Sequence, residues 1–596
     1  MKYNTITIQP FHKSIKKLNT RHDYETGDYT VIGGDTETCD GYPITLQFER
    51  AGSSVIMPCN GENATERFLV YCEHLRSLEI PHPYIFVHNL KFDMISFFYD
   101  NKEKFTDEEF LFDVGAWNVR GIYAGCTFGS VTHVDGYKIT LIDTFAFFKS
   151  SLEKLARLYC PELPKLTRPK DLGQYHYMPG SVEWYDFQEY AMRDAEIALV
   201  LGQELIRRHR EYGISMSVSA PSMAAKIFRR DFVKETICTP PNIEITQRAL
   251  LSYHGGRNGL YVAPGYYKNV NAYDINSAYP WAMTQILGYT APKSWMQHTI
   301  KKSAQFVDIA SHGIYEITCT LIDVDYPILY DENFKLASGA VKNLLITGVE
   351  LMQAIKIGEI NTSKRFIFRG TFYTPATKKE YSAVKNYAES LYKKRLESTD
   401  KIDTDFYKLL LNSLYGKFVQ TFKEREDIII DDQDYLSAAY DLTSGGLFHP
   451  EIASLITAIV RVELNRLEIK YKAMHSATDS IFTQKKIDKS DAKTGLGGLK
   501  LEYTGDLLIV RNKLYIFYGD EPLETTSQKS TIYPNKYINK YALHGFRGTP
   551  HDLELIVSGE KSEYTYTRCN TLKDSLNRGL VVNKFESQTA TLKLEK

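Results

Sequence analysis

A mixed α/β fold of the α+β kind, divided into several domains, is predicted from three features of the chain. Asp35, Asp274 and Asp479 each lie in or directly after a short run of strand character. Between the last two, Lys408, Asn412 and Tyr415 recur at i, i+4 and i+7 with leucines on the opposite side, the pattern of an amphipathic helix. The 596 residues, 43% of them apolar, are enough to bury more than one core.

The elements follow in chain order. Asp35 and Glu37 are two apart in Val31–Thr38, so on a strand they share a face, and two adjacent carboxylates invite a metal ion. The apolar run Tyr84–Val87 leads into His88-Asn89-Leu90-Lys91-Phe92-Asp93, and Tyr190 and Asp194 stand one helical turn apart. Tyr253-His254-Gly255-Gly256 is a turn signal. Tyr273 to Pro280 places Asp274 where a strand gives way to a turn. Lys378 to Tyr415 is helix-rich, with a break at Ser398-Thr399-Asp400. His475 to Phe482 reads as strand, polar turn and strand, with Asp479 at the tip. Alternation from Leu507 to Phe517 predicts one strand with Lys513 and Tyr515 on a common face. No internal repeat or low-complexity tract is present.

A cation, an amide and a flat ring on one helix face suit a nucleoside triphosphate: Lys408 on phosphate, Asn412 near the sugar, Tyr415 against the base. Gly416 then lets a backbone come close. Asp274 and Asp479 come from distant segments and are expected to converge on metal. Two divalent ions about 3.5 to 4 Å apart activate a 3'-hydroxyl and neutralise leaving pyrophosphate, and hard oxygen ligands favour Mg2+, with Mn2+ as the substitute. A lone turn aspartate is ordinarily just solvated. The informative feature is the order of acid, helix and acid.

That order resembles the family B DNA polymerases, with Asp274 to Pro280 as motif A, Lys408 to Gly416 as motif B and Thr478-Asp479-Ser480 as motif C. The resemblance narrows to the protein-primed branch of small tailed phages, adenoviruses and linear plasmids. The chain is compact, Tyr253-His254-Gly255-Gly256 matches that branch's Y-x-G-G linker, and the stretches 300–375 and 419–450 leave room for its two terminal-protein-region insertions. The fold so implied is a ribonuclease-H-like exonuclease domain followed by a right-hand palm-fingers-thumb polymerase domain. Its expected bounds are an extension at 1–30, the exonuclease at 31–210, a helical connection and linker at 211–260, and the polymerase at 261–596. Within the last, fingers fall at about 378–417 and the thumb at about 500–596.

By the same resemblance, Asp35, Glu37, Asp93 and Asp194 hold two metal ions and Tyr190 orients the attacking water, the D-E-D-D-y pattern of proofreading 3'-5' exonucleases. Thr38, Asn89, Phe92, Thr144 and Phe145 match positions that bind the frayed primer end, and Lys170 and Tyr175 match residues lining that site. In the polymerase part the Ile275 carbonyl joins Asp274 and Asp479 as metal ligand, Tyr279 packs beneath the incoming sugar, and Arg395 helps Lys408 on phosphate. Ser277, the linker residues Tyr253, Gly255 and Gly256, and the K-x-Y element Lys513 to Tyr515 contact DNA. The implied partners are primer-template and single-stranded DNA, deoxynucleoside triphosphates and a terminal protein that primes synthesis, acting on a monomeric polymerase.

Motif C departs from the pattern Y-x-D-T-D-S: its tyrosine and first aspartate are His475 and Ala477 here. Asp274 and Asp479 remain, so an active polymerase is expected. The alternatives are an exonuclease whose silent polymerase region is a DNA-binding platform, and a polymerase primed by something other than a protein. A formal net charge of -1 is neutral for a protein that holds a polyanion, but Lys378-Lys379 and Lys393-Lys394-Arg395 are local basic clusters suited to phosphate. Eight cysteines form no C-x-x-C pair, and neither a signal peptide nor a membrane-length apolar run occurs, which reads as a cytoplasmic protein.

Overall fold

The computed structural model describes residues 7–9, 14–19, 29–59, 63–106, 108–123, 125–169, 181–237, 243–286, 295–303, 313–331, 335–361, 367–375, 383–430, 436–524, 527–571, 578 and 580–592. In the first domain eight strands form a mixed sheet in the order Ser53–Pro58, Tyr42–Arg50, Thr30–Cys39, Pro83–Val87, Lys138–Asp143, Phe128–His133, Trp117–Ile122, Glu109–Val114. The three strands Thr30–Cys39, Pro83–Val87 and Lys138–Asp143 run parallel and are covered on both faces. Ile85 and Val87 face the cluster under helices Ala64–Ser77 and Leu90–Phe97, while Phe86 faces the long helix Val182–Glu211. That helix starts at Ser181, whose hydroxyl accepts the Trp184 N–H at 3.0 Å. Glycine sets its closeness to the sheet: a Cβ on Gly33 would stand 1.9 Å from the Ala195 oxygen.

The second sheet is antiparallel throughout, in the order Arg257–Leu260, His475–Thr478, Ser480–Thr483, Gly265–Ile275, Leu499–Arg511, Leu514–Gly519, Tyr537–Leu543, Gln528–Lys529. The single strand expected over Leu507 to Phe517 is instead a hairpin. Asn512 and Lys513 turn it, with Lys513 in the left-handed region at φ +56°. The polar triplet Arg511-Asn512-Lys513 separates two buried apolar runs, which is the mark of a turn rather than of one alternating strand. Lys513 and Tyr515 therefore do not share a strand face: the Tyr515 ring is buried against Phe482, 4.9 Å between centroids. The sheet runs unbroken across residue 500, so the expected thumb boundary falls inside it.

Helices Ala383–Glu397 and Lys401–Ser413 flank the break read at Ser398 to Asp400, where the Asp400 carboxylate caps the second by accepting the Ile402 N–H at 2.8 Å. The helix ends at Ser413, and Tyr415 opens a 3-10 turn, Tyr415–Val419. The two stretches read as insertions carry a sheet ordered Trp295–Ser303, Ile367–Pro375, Ile314–Thr320, Ala340–Thr347, and a hairpin Thr421–Ile430 with Leu436–Ser444. Strand Thr7–Gln9 adds to that hairpin in parallel, Thr7 opposite Asp441. Lys170, Tyr175, Lys378 and Lys379 lie outside the described residues.

Helix Pro450–Tyr471 backs the second sheet and has a polar face that is wholly buried: Arg461, Asn465 and Glu468 at i, i+4 and i+7. Glu468 accepts Arg257 Nε with both oxygens at 2.8 Å. Arg461 donates to Glu350 and to the Gly255 carbonyl, each at 2.9 Å. Asn465 takes Gln353 Nε2 and donates to the Tyr326 carbonyl, both at 2.8 Å. One helix face thus fixes both the 254–257 linker and the first insertion.

Breaking one partner of such a pair leaves a dry unpaired charge. Arg257→Met is expected to cost about 3 to 5 kcal/mol in denaturant unfolding, whereas Arg257→Met with Glu468→Leu should cost much less. Equal losses in the two variants would mean that the pair acts through shape rather than charge.

Candidate active sites

In the first domain, alternation on strand Thr30–Cys39 points Asp35 and Glu37 the same way. Asp93 joins them from helix Leu90–Phe97, and Tyr190 and Asp194 from helix Val182–Glu211. Burial, then Asp93, Asp194 and Glu37, raise the Asp35 carboxyl well above its ordinary range. Burial and then Asp194 push Glu37 up to about 7, against the pull of Arg168 and a hydrogen bond with the Tyr190 hydroxyl. Asp93 also rises to about 7, chiefly by burial, although the Thr36 hydroxyl donates to it at 2.7 Å. All five residues picked from sequence are therefore brought together.

Two cations missed in the sequence, Lys165 and Arg168, offset this charge. Lys165 is ion-paired with Asp194, and Arg168 donates to the Thr38 carbonyl at 2.9 Å. Of the residues read as primer-end ligands, Asn89 and Phe145 are held by Asp143, another residue not singled out. One Asp143 oxygen accepts the N–H groups of Asn89 and Phe145, both at 2.9 Å. Thr144 Oγ1 lies 2.9 Å from His88 Nδ1, and the Phe92 carbonyl takes Asn583 Nδ2 at 3.1 Å.

In the second domain Asp274 lies opposite Ser480, which sets it beside Asp479 at the hairpin tip. The Ile275 N–H donates to the Asp479 carbonyl at 2.8 Å, and the Asp479 N–H closes on Ala477 O at 2.7 Å. That closure is a γ-turn through Thr478 at φ +62°, a strained conformation for a β-branched residue. Burial first, then Asp479 and Glu502, raise Asp274 to about 7, while Lys540 and Lys408 draw it down. Burial and then Glu502 raise Asp479. Glu502 is thus a third acid here; it lies on strand Leu499–Arg511, one residue beyond Leu501, which pairs with Tyr273, and is ion-paired with Lys540.

Around these acids, the Tyr279 and Tyr415 rings stack at 4.4 Å and 3°. Gly256 is required: a Cβ there would stand 2.7 Å from Thr478 Cγ2 and 2.9 Å from the Tyr279 hydroxyl. Among the described residues nothing lies within 4 Å of a Cβ built on Gly255 or Gly416. Tyr253, raised by burial, is close enough to act electrostatically on both stacked tyrosines. Arg395 donates to Ser277 Oγ at 3.1 Å, resting the helical pair on the motif A turn, and Lys513 donates to Thr478 Oγ1 at 3.1 Å. Lys408 and Asn412 are exposed on helix Lys401–Ser413. Among the described residues no three His, Cys, Asp or Glu side chains already form an ion cage. Both acid groups nevertheless present hard oxygen donors in excess of nearby positive charge, the chemistry that suits a divalent cation.

Residues 185–492 match the family model described as DNA polymerase type B, organellar and viral. The chain is 25% identical over 452 residues to a "Probable DNA polymerase" of Neurospora intermedia, covering 62% of this chain and 45% of that one. It is 23% identical over 430 residues to the "DNA polymerase" of Acidianus bottle-shaped virus, covering 66% and 58%. The chain spans about half the length of these curated relatives. Phi29 DNA polymerase, complexed with primer-template DNA and incoming nucleotide substrates, superposes with a TM-score of 0.65 at 16% identity, over 95% of this chain and 100% of that one. The fold is accordingly a ribonuclease-H-like domain followed by palm, fingers and thumb.

Glu37 and Asp93 titrate near 7 in the fold against ordinary values of 4.5 and 3.8. Such groups add stability below the ordinary value and lose it as pH rises through 7, so at neutral pH the first cluster repels itself. Asp35→Asn is expected to raise the melting temperature in chelator at pH 7, by about 2 to 4 °C per kcal/mol of repulsion removed, and by less at pH 5. A gain independent of pH would show that these acids do not sense one another.

Proposed function

Since the chain belongs to the organellar and viral type B DNA polymerases, we propose that it extends a DNA 3'-hydroxyl on a template and removes mispaired ends in the 3'-5' direction at a second site. The observation that carries the reading is the second cluster: Asp274, Asp479 and Glu502 beside Lys408 and the Tyr279–Tyr415 stack. Asp274, Asp479 and the Ile275 carbonyl would hold Mg2+, which when bound supplies activation of the hydroxyl and neutralisation of pyrophosphate. Lys408 receives the triphosphate. The Tyr279–Tyr415 stack offers a flat floor for sugar and base, on which Tyr279 would exclude a 2'-hydroxyl. In the first domain Asp35, Glu37, Asp93 and Asp194 would hold the ions, and Tyr190, hydrogen-bonded to Glu37, orients the attacking water.

Initiation on the hydroxyl of a terminal protein is supported by the linker at Tyr253 to Gly256, which resembles that branch's Y-x-G-G, and by the room that the stretches 300–375 and 419–450 leave for its two insertions. The competing reading, a nuclease with a silent polymerase region, rests on Ala477. Glu502 weighs against it, because it brings to the same two aspartates the negative charge that Ala477 lacks.

The test uses a 5'-labelled primer on a longer template with Mg2+. Extension is expected with deoxynucleotides and shortening without them. Asp274→Asn should remove extension alone, Asp35→Asn with Glu37→Gln shortening alone, and Tyr279→Val should admit ribonucleotides. Shortening under both conditions in the unaltered protein would establish the nuclease reading instead.

A further inference from the structure

A cavity of about 370 Å³ lies between the first domain and the helix that carries Lys408. One wall is a stripe of helix Lys401–Ser413, with Asp405, Lys408 and Asn412 at i, i+3 and i+7. The other wall comes from the first domain: Lys149 at the end of the short helix Phe145–Phe148, and Lys154 and Tyr159 in helix Leu152–Tyr159. His88 fixes this wall by bridging Thr144 Oγ1 at 2.9 Å and the Ser150 carbonyl at 3.0 Å. Asp405 is paired within its own helix to Lys401 at 3.1 Å. Among the described residues Lys149, Lys154 and Lys408 make no ion pair, and Lys149 and Lys154 are exposed.

Three lysines thus face one cavity large enough for a small ligand, opposite a single acid that is already paired. A ligand in this cavity would touch both Lys408 and Asn412 and the first domain. We propose that Lys149 and Lys154 bind the phosphates of the incoming nucleoside triphosphate opposite Lys408, so that the exonuclease-like domain completes the nucleotide site of the polymerase domain. The proposal rests on the polymerase reading above. It also ties the two sites together, because Lys149 caps the short helix that Phe145 begins and its ammonium lies 4.8 Å from the centre of the Phe145 ring. A nucleotide held at Lys149 would bear on the segment assigned to the frayed primer end.

The test is equilibrium binding of dATP to the protein on a dideoxy-terminated primer-template with thymine as the next template base and Ca2+ in place of Mg2+. Lys149→Ala with Lys154→Ala is expected to raise the Kd for dATP at least fivefold and to flatten its salt dependence. Lys149→Arg with Lys154→Arg should restore it to within twofold, and the melting temperature should be unchanged in both. An unaltered dATP Kd in the alanine variant would overturn the proposal. So would an unaltered Kd accompanied by weaker binding of a template with a long single-stranded 5' overhang, which would assign the groove to a DNA strand. Failure of the unaltered protein to bind dATP would overturn the polymerase reading itself, whereas binding retained equally in the alanine variant removes only this inference.

Discussion

Like charge held out of water is the constraint on which both sites depend. At each, the backbone brings carboxylates together before any ion neutralises them, and their protonation is forced upward by burial and by one another. The first site does this with strand alternation plus two helices, the second with the ends of antiparallel strands. Lysines moderate the cost: Lys165 at Asp194, Lys540 at Glu502. The Thr478 γ-turn is a further local cost, and it is what aims Asp479 at Asp274.

Such a cluster holds its shape only on a stiff support. Helix Pro450–Tyr471 provides it through a face of buried polar groups, each partnered by a residue far away in sequence. The Gly255 carbonyl is held by Arg461, and Gly256 then passes against Thr478 and Tyr279. The linker is therefore part of the wall of the second site as well as a connection. Helix Ala383–Glu397 adds to the same support where Arg395 and Tyr392 meet Ser277 and Asn276.

Local periodicity made much of this readable. Asp35 with Glu37 needs only the period of a strand, and Tyr190 with Asp194 only that of a helix; both pairs occur as read. Glu502 was not legible, because a charged residue in Leu-Lys-Leu-Glu looks like any solvated strand face until register places Leu501 against Tyr273. Lys165 reaches Asp194, and Arg168 the Thr38 carbonyl beside Glu37, across a long sequence separation, which no local pattern records. The turn at Lys513 has neither glycine nor proline, and the polar triplet Arg511-Asn512-Lys513 that marks it between two apolar runs was read through as strand. Arg257 and Glu468, 211 residues apart, carry no sequence signal of pairing at all.

The central claim is that the second cluster is a working polymerase site in which Glu502 supplies the charge missing at Ala477. Single-turnover incorporation of one deoxynucleotide tests it most directly, comparing the unaltered protein, Glu502→Gln, and Glu502→Gln with Ala477→Asp. The account predicts a rate loss of at least tenfold on removing Glu502 and substantial recovery when Asp stands at 477. A Glu502→Gln rate equal to that of the unaltered protein, or no incorporation by any of the three, would contradict it.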